Sequence, residues 1–260
     1  MKILSMICSL AAGLLVLSSC SKGKNDFYYK ADVLPVSIKG YNGGNSPLEL
    51  KMDTFRFEYS ANAPFDQTLG YSFTGQQDKV NLLITEKETG KLVMEKVFKR
   101  DSGPVKINFL YLDGQAGDMP ERPVAEEGKI KVKYMFRPTL TQYKEPVDIA
   151  LVKYYLTPKV FEEITRLKNV KPNEMSETVS LSTFSTTGQQ YNGQPTAVLF
   201  RAYIYKAGTN EFYTTGTDYS WNATLSTAPL PPASSASAKV YIFSESAAGN
   251  SIRFIKNLEL

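Results

Sequence analysis

The sequence predicts an all-β protein with two immunoglobulin-like or jelly-roll β-sandwich domains and one short helix. Three observations support this fold. Short segments rich in β-branched and aromatic residues recur along the chain, turn residues separate them, and helical periodicity occurs in a single stretch. The chain of 260 residues is long enough for a targeting segment followed by one large domain or two ordinary ones.

The N-terminal segment, residues 1–19, is predicted to be a signal peptide. It has a short basic start at Lys2, and residues 3–17 form an apolar run that is too short to cross a bilayer of roughly 30 Å as a helix. The run ends in Leu17-Ser18-Ser19-Cys20, which resembles the bacterial lipobox. The resemblance implies that Cys20 is lipidated. The alternative is an ordinary secretory signal whose cysteine is incidental.

The segment 20–26 is predicted to be the lipidated cysteine and a polar tether to the folded body. Cys8 would leave with the signal peptide, so the mature protein would have no thiol for a disulfide or for catalysis. Acyl chains on Cys20 would make the membrane a partner of the protein.

The first predicted domain covers residues 27–145. A hairpin is expected around Thr89-Gly90, and the alternation of lysines with Ile130, Val132 and Tyr134 predicts a strand with one buried face. The predicted strands of this half are 33–39, 54–59, 79–85, 91–98, 105–112 and 129–136.

The second predicted domain covers residues 146–260. We place the boundary near residues 143–146, and a single continuous sandwich is the alternative. The predicted strands are 147–156, 197–205, 240–243 and 252–258, with a second hairpin that returns at 211–213. Residues 160–168 are predicted to be the short helix, because Val160, Phe161, Ile164 and Leu167 follow a helical period after Pro158. The proline-rich stretch 228–238 is predicted to be an exposed loop.

Composition excludes several classes of function. The chain contains no histidine, which removes the commonest general base and transition-metal ligand. The net charge of +4 is too mild and too evenly spread for a nucleic-acid partner. Asp113, Asp118 and Glu121 lie near glycines, but their spacing matches no calcium loop and predicts a solvated turn. We therefore nominate no catalytic residue, metal ligand or cofactor. A carboxylate enzyme remains a third, minor alternative.

The strongest candidate binding site lies in residues 211–222. Sugar rings stack on aromatic side chains while nearby polar groups bind the hydroxyls. The predicted ligand-binding residues are Tyr213, Asp218, Tyr219, Trp221 and Asn222. The alternative is that Trp221 packs in the core and that Tyr213 is a strand residue paired across the second hairpin.

A lipobox, a polar tether and sandwich domains rich in Tyr and Phe resemble the surface lipoproteins of Bacteroidetes-type bacteria, including the accessory glycan-binding proteins of polysaccharide uptake systems. The resemblance implies an outer-membrane lipoprotein that acts as a non-catalytic surface binding module for polysaccharide. The alternative is a structural, adhesin or assembly lipoprotein that binds a protein partner, such as an outer-membrane complex, through edge strands and the Pro231-Pro232 loop. Exported members carry an acidic run after the cysteine, whereas this chain has Lys22, Lys24 and Asp26. The sequence therefore leaves open whether the anchor faces the periplasm or the exterior.

Overall fold

The computed structural model describes residues 33–260, and within this range the regular secondary structure is entirely β-strand. The all-β prediction is thereby confirmed. In the same range, no helix has the length and apolarity needed to cross a membrane. The predicted signal peptide, Cys20 and the tether at 20–26 lie outside the described residues.

The described residues form seventeen strands. They are β1 (Val33–Asn42), β2 (Leu48–Met52), β3 (Phe55–Tyr59), β4 (Ala63–Ser72), β5 (Lys79–Glu86), β6 (Leu92–Lys99), β7 (Val105–Leu112), β8 (Gln115–Gly117), β9 (Lys129–Arg137), β10 (Val147–Tyr155), β11 (Val160–Val170), β12 (Val179–Ser182), β13 (Gln189–Tyr191), β14 (Gln194–Thr196), β15 (Val198–Lys206), β16 (Ser237–Ala248) and β17 (Ser251–Glu259).

The first half of the chain forms two four-stranded sheets, in the orders β4-β1-β7-β8 and β3-β2-β5-β6. The central strand β1 pairs antiparallel with β4 and parallel with β7. Alternate residues of these strands meet in one core, which includes Val36, Ile38, Leu50, Leu82 and Tyr111. The predicted strands of this half and the hairpin at Thr89-Gly90 are confirmed.

The second half repeats this topology, except that its second sheet has three strands instead of four. Its sheets have the orders β12-β9-β16-β17 and β11-β10-β15. Here β9 pairs antiparallel with β12 and parallel with β16, just as β1 pairs with β4 and β7. The small β13-β14 hairpin lies between β12 and β15 in the chain. The two sandwiches are therefore built on one plan, although the sequence shows no obvious repeat.

Strand β9 belongs with the second sandwich. Its neighbours in the sheet are β12 and β16, two strands of the second half, and its residues Ile130, Val132, Tyr134 and Phe136 lie in the second core. The predicted boundary at residue 145 stays a prediction. The strand pairing favours a division within residues 118–128, between β8 and β9.

The predicted helix at residues 160–168 is wrong, because this segment lies in strand β11. Two register shifts in the pairing of β10 with β11 each leave one extra residue in β11. Such bulges break the two-residue alternation of a strand. As a result Ile164, Leu167 and Val170 all pack on one core at intervals of three residues, which imitates a helical period.

Two further expectations for the second half need correction. The return strand predicted at 211–213 is reduced to one isolated bridge between Tyr205 and Phe212. The stretch 228–238 was expected to be exposed, but Ala228 and Ala233 are buried in the second core, and only Pro232 and residues 234–236 are exposed. This loop covers the core instead of projecting from it.

The two sandwiches are joined by a buried arginine. Arg137 at the end of β9 is 7% exposed. It donates hydrogen bonds to the Tyr41 hydroxyl at 3.0 Å, to Asn62 Oδ1 at 3.0 Å and to the Gly43 carbonyl at 2.6 Å, all in the first half. A small apolar cluster that includes Tyr41, Leu110 and Ile242 packs at the same junction.

Candidate ligand-binding groove

Tyr213, the first of the predicted binding residues, is completely buried. Its hydroxyl donates a 2.8 Å hydrogen bond to Glu245 Oε1, and its ring lies edge-on to Phe136 and Tyr143. Burial, followed by the nearby Glu245 carboxylate, raises the pKa of Tyr213 far above its ordinary value. This side chain holds the second core together and has no surface to offer a ligand.

Trp221 is half-buried in a stack of aromatic side chains. One face lies on the Phe212 ring at 4.7 Å with an interplanar angle of 7°. The other face of Phe212 stacks on Tyr205 at 4.9 Å, and the Arg166 guanidinium covers Tyr205 at 4.9 Å from the ring centre. At least one face of Trp221 is therefore covered by protein, and the indole Nε1 is buried without a hydrogen-bond partner.

The remaining predicted residues divide into one structural and two accessible side chains. Asn222 Oδ1 accepts hydrogen bonds from the Thr224 and Leu225 amides at 3.0 and 3.1 Å, so it stabilises its own turn. Asp218 is exposed, and Tyr219 is partly exposed with no ring contact among residues 33–260. Asp218 and Tyr219 are therefore the members of the predicted set that a ligand could reach.

An open groove lies beside this cluster, and we call it the Phe254 groove. Its volume is about 490 Å³, and it runs between the loop 227–233 and the strands β15 and β17. Phe254 forms one wall and contacts the predicted cluster, since its ring lies 5.9 Å from Trp221 and 6.4 Å from Tyr213. Phe200 and Leu230 contribute further apolar surface.

Hydrogen bonds to neighbouring strands hold the loop side of the groove in place. The Ala228 amide donates to the Ala202 carbonyl at 3.0 Å, and Thr227 Oγ1 accepts from the Ala202 amide at 3.0 Å. The loop thus occupies the edge of β15 as a strand would. The Tyr134 hydroxyl also donates to the Pro229 carbonyl at 3.0 Å. These contacts give the groove a preformed floor.

The groove carries positive charge. Arg201 and Lys256 line it, and its lining residues include no aspartate or glutamate. Burial lowers the pKa of Arg201, opposed in part by the neighbouring Tyr203. Between residues 33 and 260, no group of three His, Cys, Asp or Glu side chains is arranged to hold a metal ion.

Sequence reasoning missed Phe200, Arg201, Phe254 and Lys256 as groove residues. They come from strands that lie about fifty residues apart, and only the fold brings them together. A usable signal was present in the proline-rich stretch, because prolines between two long strands favour a fixed loop over a mobile one.

Comparisons with known proteins give no family. No family model matches the chain, and no curated protein matches it. Three similar solved structures are the Bacillus anthracis TIE protein, a family CBM26 carbohydrate-binding module from Eubacterium rectale with maltoheptaose, and the tip fimbrial protein Mfa3 from Porphyromonas gingivalis. Their sequence identities are 10%, 8% and 9%, and their TM-scores are 0.20, 0.20 and 0.22. The matches cover 65%, 86% and 86% of this chain and 31%, 98% and 98% of the respective structures. Similarity at this level carries no argument about function.

Proposed function

We propose that this protein is a non-catalytic binding protein of the cell surface, held at the outer membrane by acyl chains on Cys20, and that its ligand is a polysaccharide. The Phe254 groove is the observation that carries the proposal. Sugar rings present flat C–H faces that stack on aromatic side chains, and the groove offers the partly exposed Phe254 ring over a preformed floor. Asp218 and Tyr219 are the accessible members of the predicted set and remain proposed ligand contacts.

Affinity electrophoresis tests the proposed ligand class. The full chain in detergent is run through native gels that contain neutral or acidic polysaccharides from plant, host and microbial sources. We expect at least one polymer to retard the chain, and we expect Phe254→Leu to weaken this retardation several-fold, because leucine retains apolar bulk but offers no ring face.

A matched control separates ligand contact from general damage. Phe161 on β11 is 50% exposed and does not line the groove, so Phe161→Leu is expected to leave retardation unchanged. Thermal unfolding of each variant checks that the fold is retained. Uniform migration of the wild-type chain through every gel would contradict the polysaccharide proposal.

The proposed anchor is tested separately. Cys20→Ser removes the thiol to which acyl chains would be attached, so the variant is expected to move from the membrane pellet to the soluble fraction after cell lysis. Cys8→Ser is the matched control, because Cys8 lies in the apolar run of the proposed signal peptide. An unchanged distribution of Cys20→Ser would contradict lipid anchoring at this residue.

A specific observation favours a protein partner as the second candidate. Residues 105–109 of β7 pair with β1 on one edge, while β8 pairs with β7 only at residues 110–112. No strand among residues 33–260 occupies the other edge of 105–109, which lies beside a groove of about 340 Å³ lined by β6 and β7. An open edge of this kind offers free backbone donors and acceptors to an added strand. A co-purifying protein, together with uniform migration in the gels, would favour this candidate.

A further inference from the structure

We propose that the Phe254 groove selects acidic polysaccharides, whose negatively charged sugar units are bound by Arg201 and Lys256. This inference rests on the proposed function and adds the chemical class of its ligand. Three features of the groove carry it: an arginine with spare donors on β15, a lysine on β17, and apolar surface in the same groove.

Arg201 is held against the groove with most of its donors uncommitted. Its Nη1 donates to the Phe200 carbonyl at 3.1 Å, and its Nε is buried without a hydrogen-bond partner. No salt bridge to Arg201 is found among residues 33–260. A guanidinium presents five donors in a planar fork that fits a carboxylate or a sulfate with two parallel hydrogen bonds. A bound anion would engage the Nη donors of Arg201 that make no hydrogen bond within residues 33–260.

Lys256 supplies the second charge from β17. Its Nζ pairs with Glu259, but this carboxylate is shared with Lys239 Nζ, which lies 2.6 Å from Glu259 Oε1. Hydrogen bonds from the two lysines lower the pKa of Glu259 and keep it ionised, so this group of three side chains retains one positive charge. With Arg201 included, these four side chains carry two net positive charges.

The apolar surface between the cations distinguishes the groove from a simple basic patch. Phe254, Leu230 and the loop prolines line the same groove as Arg201 and Lys256. A sugar acid has an apolar ring face and a charged substituent at its rim, so it can stack on Phe254 and reach a cation at once. A purely inorganic anion could use only half of these contacts.

The test uses two pairs of polymers, and the members of each pair share a sugar backbone but differ in the charge of a substituent. Polygalacturonate is compared with its methyl ester, and dextran sulfate is compared with dextran, each in native gels with the full chain. We expect the charged member of at least one pair to retard the chain more strongly, and we expect about tenfold weaker retardation for Arg201→Gln, the factor typical of a lost charged hydrogen bond. Added salt is expected to weaken the same interaction.

Arg253→Gln is the control of equal charge. Arg253 is exposed on β17 close to Phe254 and Lys256 in the chain, but it does not line the groove. Replacement of Arg253 therefore changes the net charge without altering the groove lining. Equal loss of retardation in Arg201→Gln and Arg253→Gln would overturn the inference, because it would indicate nonspecific attraction.

The outcomes also separate this inference from the function on which it rests. If neutral polymers from the wider panel retard the chain and the charged members of both pairs do so no better than their partners, acidic selectivity is refuted while polysaccharide binding stands. If no polymer of either kind retards the chain, both proposals are overturned.

Discussion

At the scale of single residues, Glu245 shows how one buried carboxylate organises a loop and a core together. It is 4% exposed. Its Oε2 accepts hydrogen bonds from the Leu140 and Thr141 amides at 2.7 and 2.8 Å, and its Oε1 accepts from Thr141 Oγ1 and the Tyr213 hydroxyl at 2.6 and 2.8 Å. Four donors satisfy the carboxylate, which is the condition for keeping a charge inside a protein.

The role of Tyr213 as a core residue leads to a stability prediction. Tyr213→Phe removes the hydroxyl that donates to Glu245, and the free energy of unfolding is expected to fall by about 1–3 kcal/mol, since a buried carboxylate oxygen loses a donor. Urea unfolding followed by fluorescence measures the change. Tyr219→Phe is the control, because the partly exposed Tyr219 should give a change near zero. Equal unfolding midpoints for the two variants would be inconsistent with this role of Tyr213.

At the scale of elements, strand β11 shows which strands can be predicted from the sequence and which cannot. Strands in which buried and more exposed residues alternate over six residues, such as β5 and residues 129–134 of β9, could be predicted because this two-residue period is visible in the sequence. In β11, the second bulge requires Asn169 in a left-handed conformation, with a φ of 54°, and Asp148 Oδ1 accepts a 2.9 Å hydrogen bond from its amide. That partner lies on the neighbouring strand, so no local pattern predicts the bulge.

The same reasoning explains which part of the site was predictable. The aromatic content of residues 211–222 is visible in the sequence, but the contacts that bury Tyr213 and cover a face of Trp221 come from Glu245 and Phe212. Burial of an aromatic side chain depends on what packs against it, and residues of a core and of a binding surface are of the same types. The sequence could not predict the Phe254 groove for a related reason, because its two cations lie on strands that are not paired with each other.

At the scale of the whole molecule, Arg137 couples the two sandwiches. It is a buried cation with no carboxylate partner among residues 33–260, and it is stabilised by oxygen atoms of Tyr41, Asn62 and Gly43 and by the face of the Tyr41 ring, whose centre lies 6.0 Å away. Charged hydrogen bonds in a buried site are stronger than neutral ones. Separation of the sandwiches would leave this charge without its partners, so the two halves are expected to unfold together.

Replacement of this arginine tests the coupling. Arg137→Met keeps an apolar side chain at the junction but removes the three hydrogen bonds that Arg137 makes across it. We expect a loss of about 2–4 kcal/mol in the free energy of unfolding and a broadened or split calorimetric transition. Arg122→Met, at an exposed position between the sandwiches, should retain a single transition at the wild-type temperature. A single unshifted transition in Arg137→Met would rule out the proposed coupling.

The shared plan of the two sandwiches also sets the order of events when the chain folds. Each half closes one sheet with a parallel pair between its first strand and a strand near its end, and in the second half this pair joins residues 130 and 237. Pairing across such a separation confines the whole intervening chain. The chain loses this conformational entropy before the stabilising contacts have formed, so folds of high contact order form slowly. When the chain emerges N-terminus first, the first half has its closing strand by residue 112, whereas the second half must wait for β16. We therefore expect the first sandwich to be able to fold while the core of the second is still open.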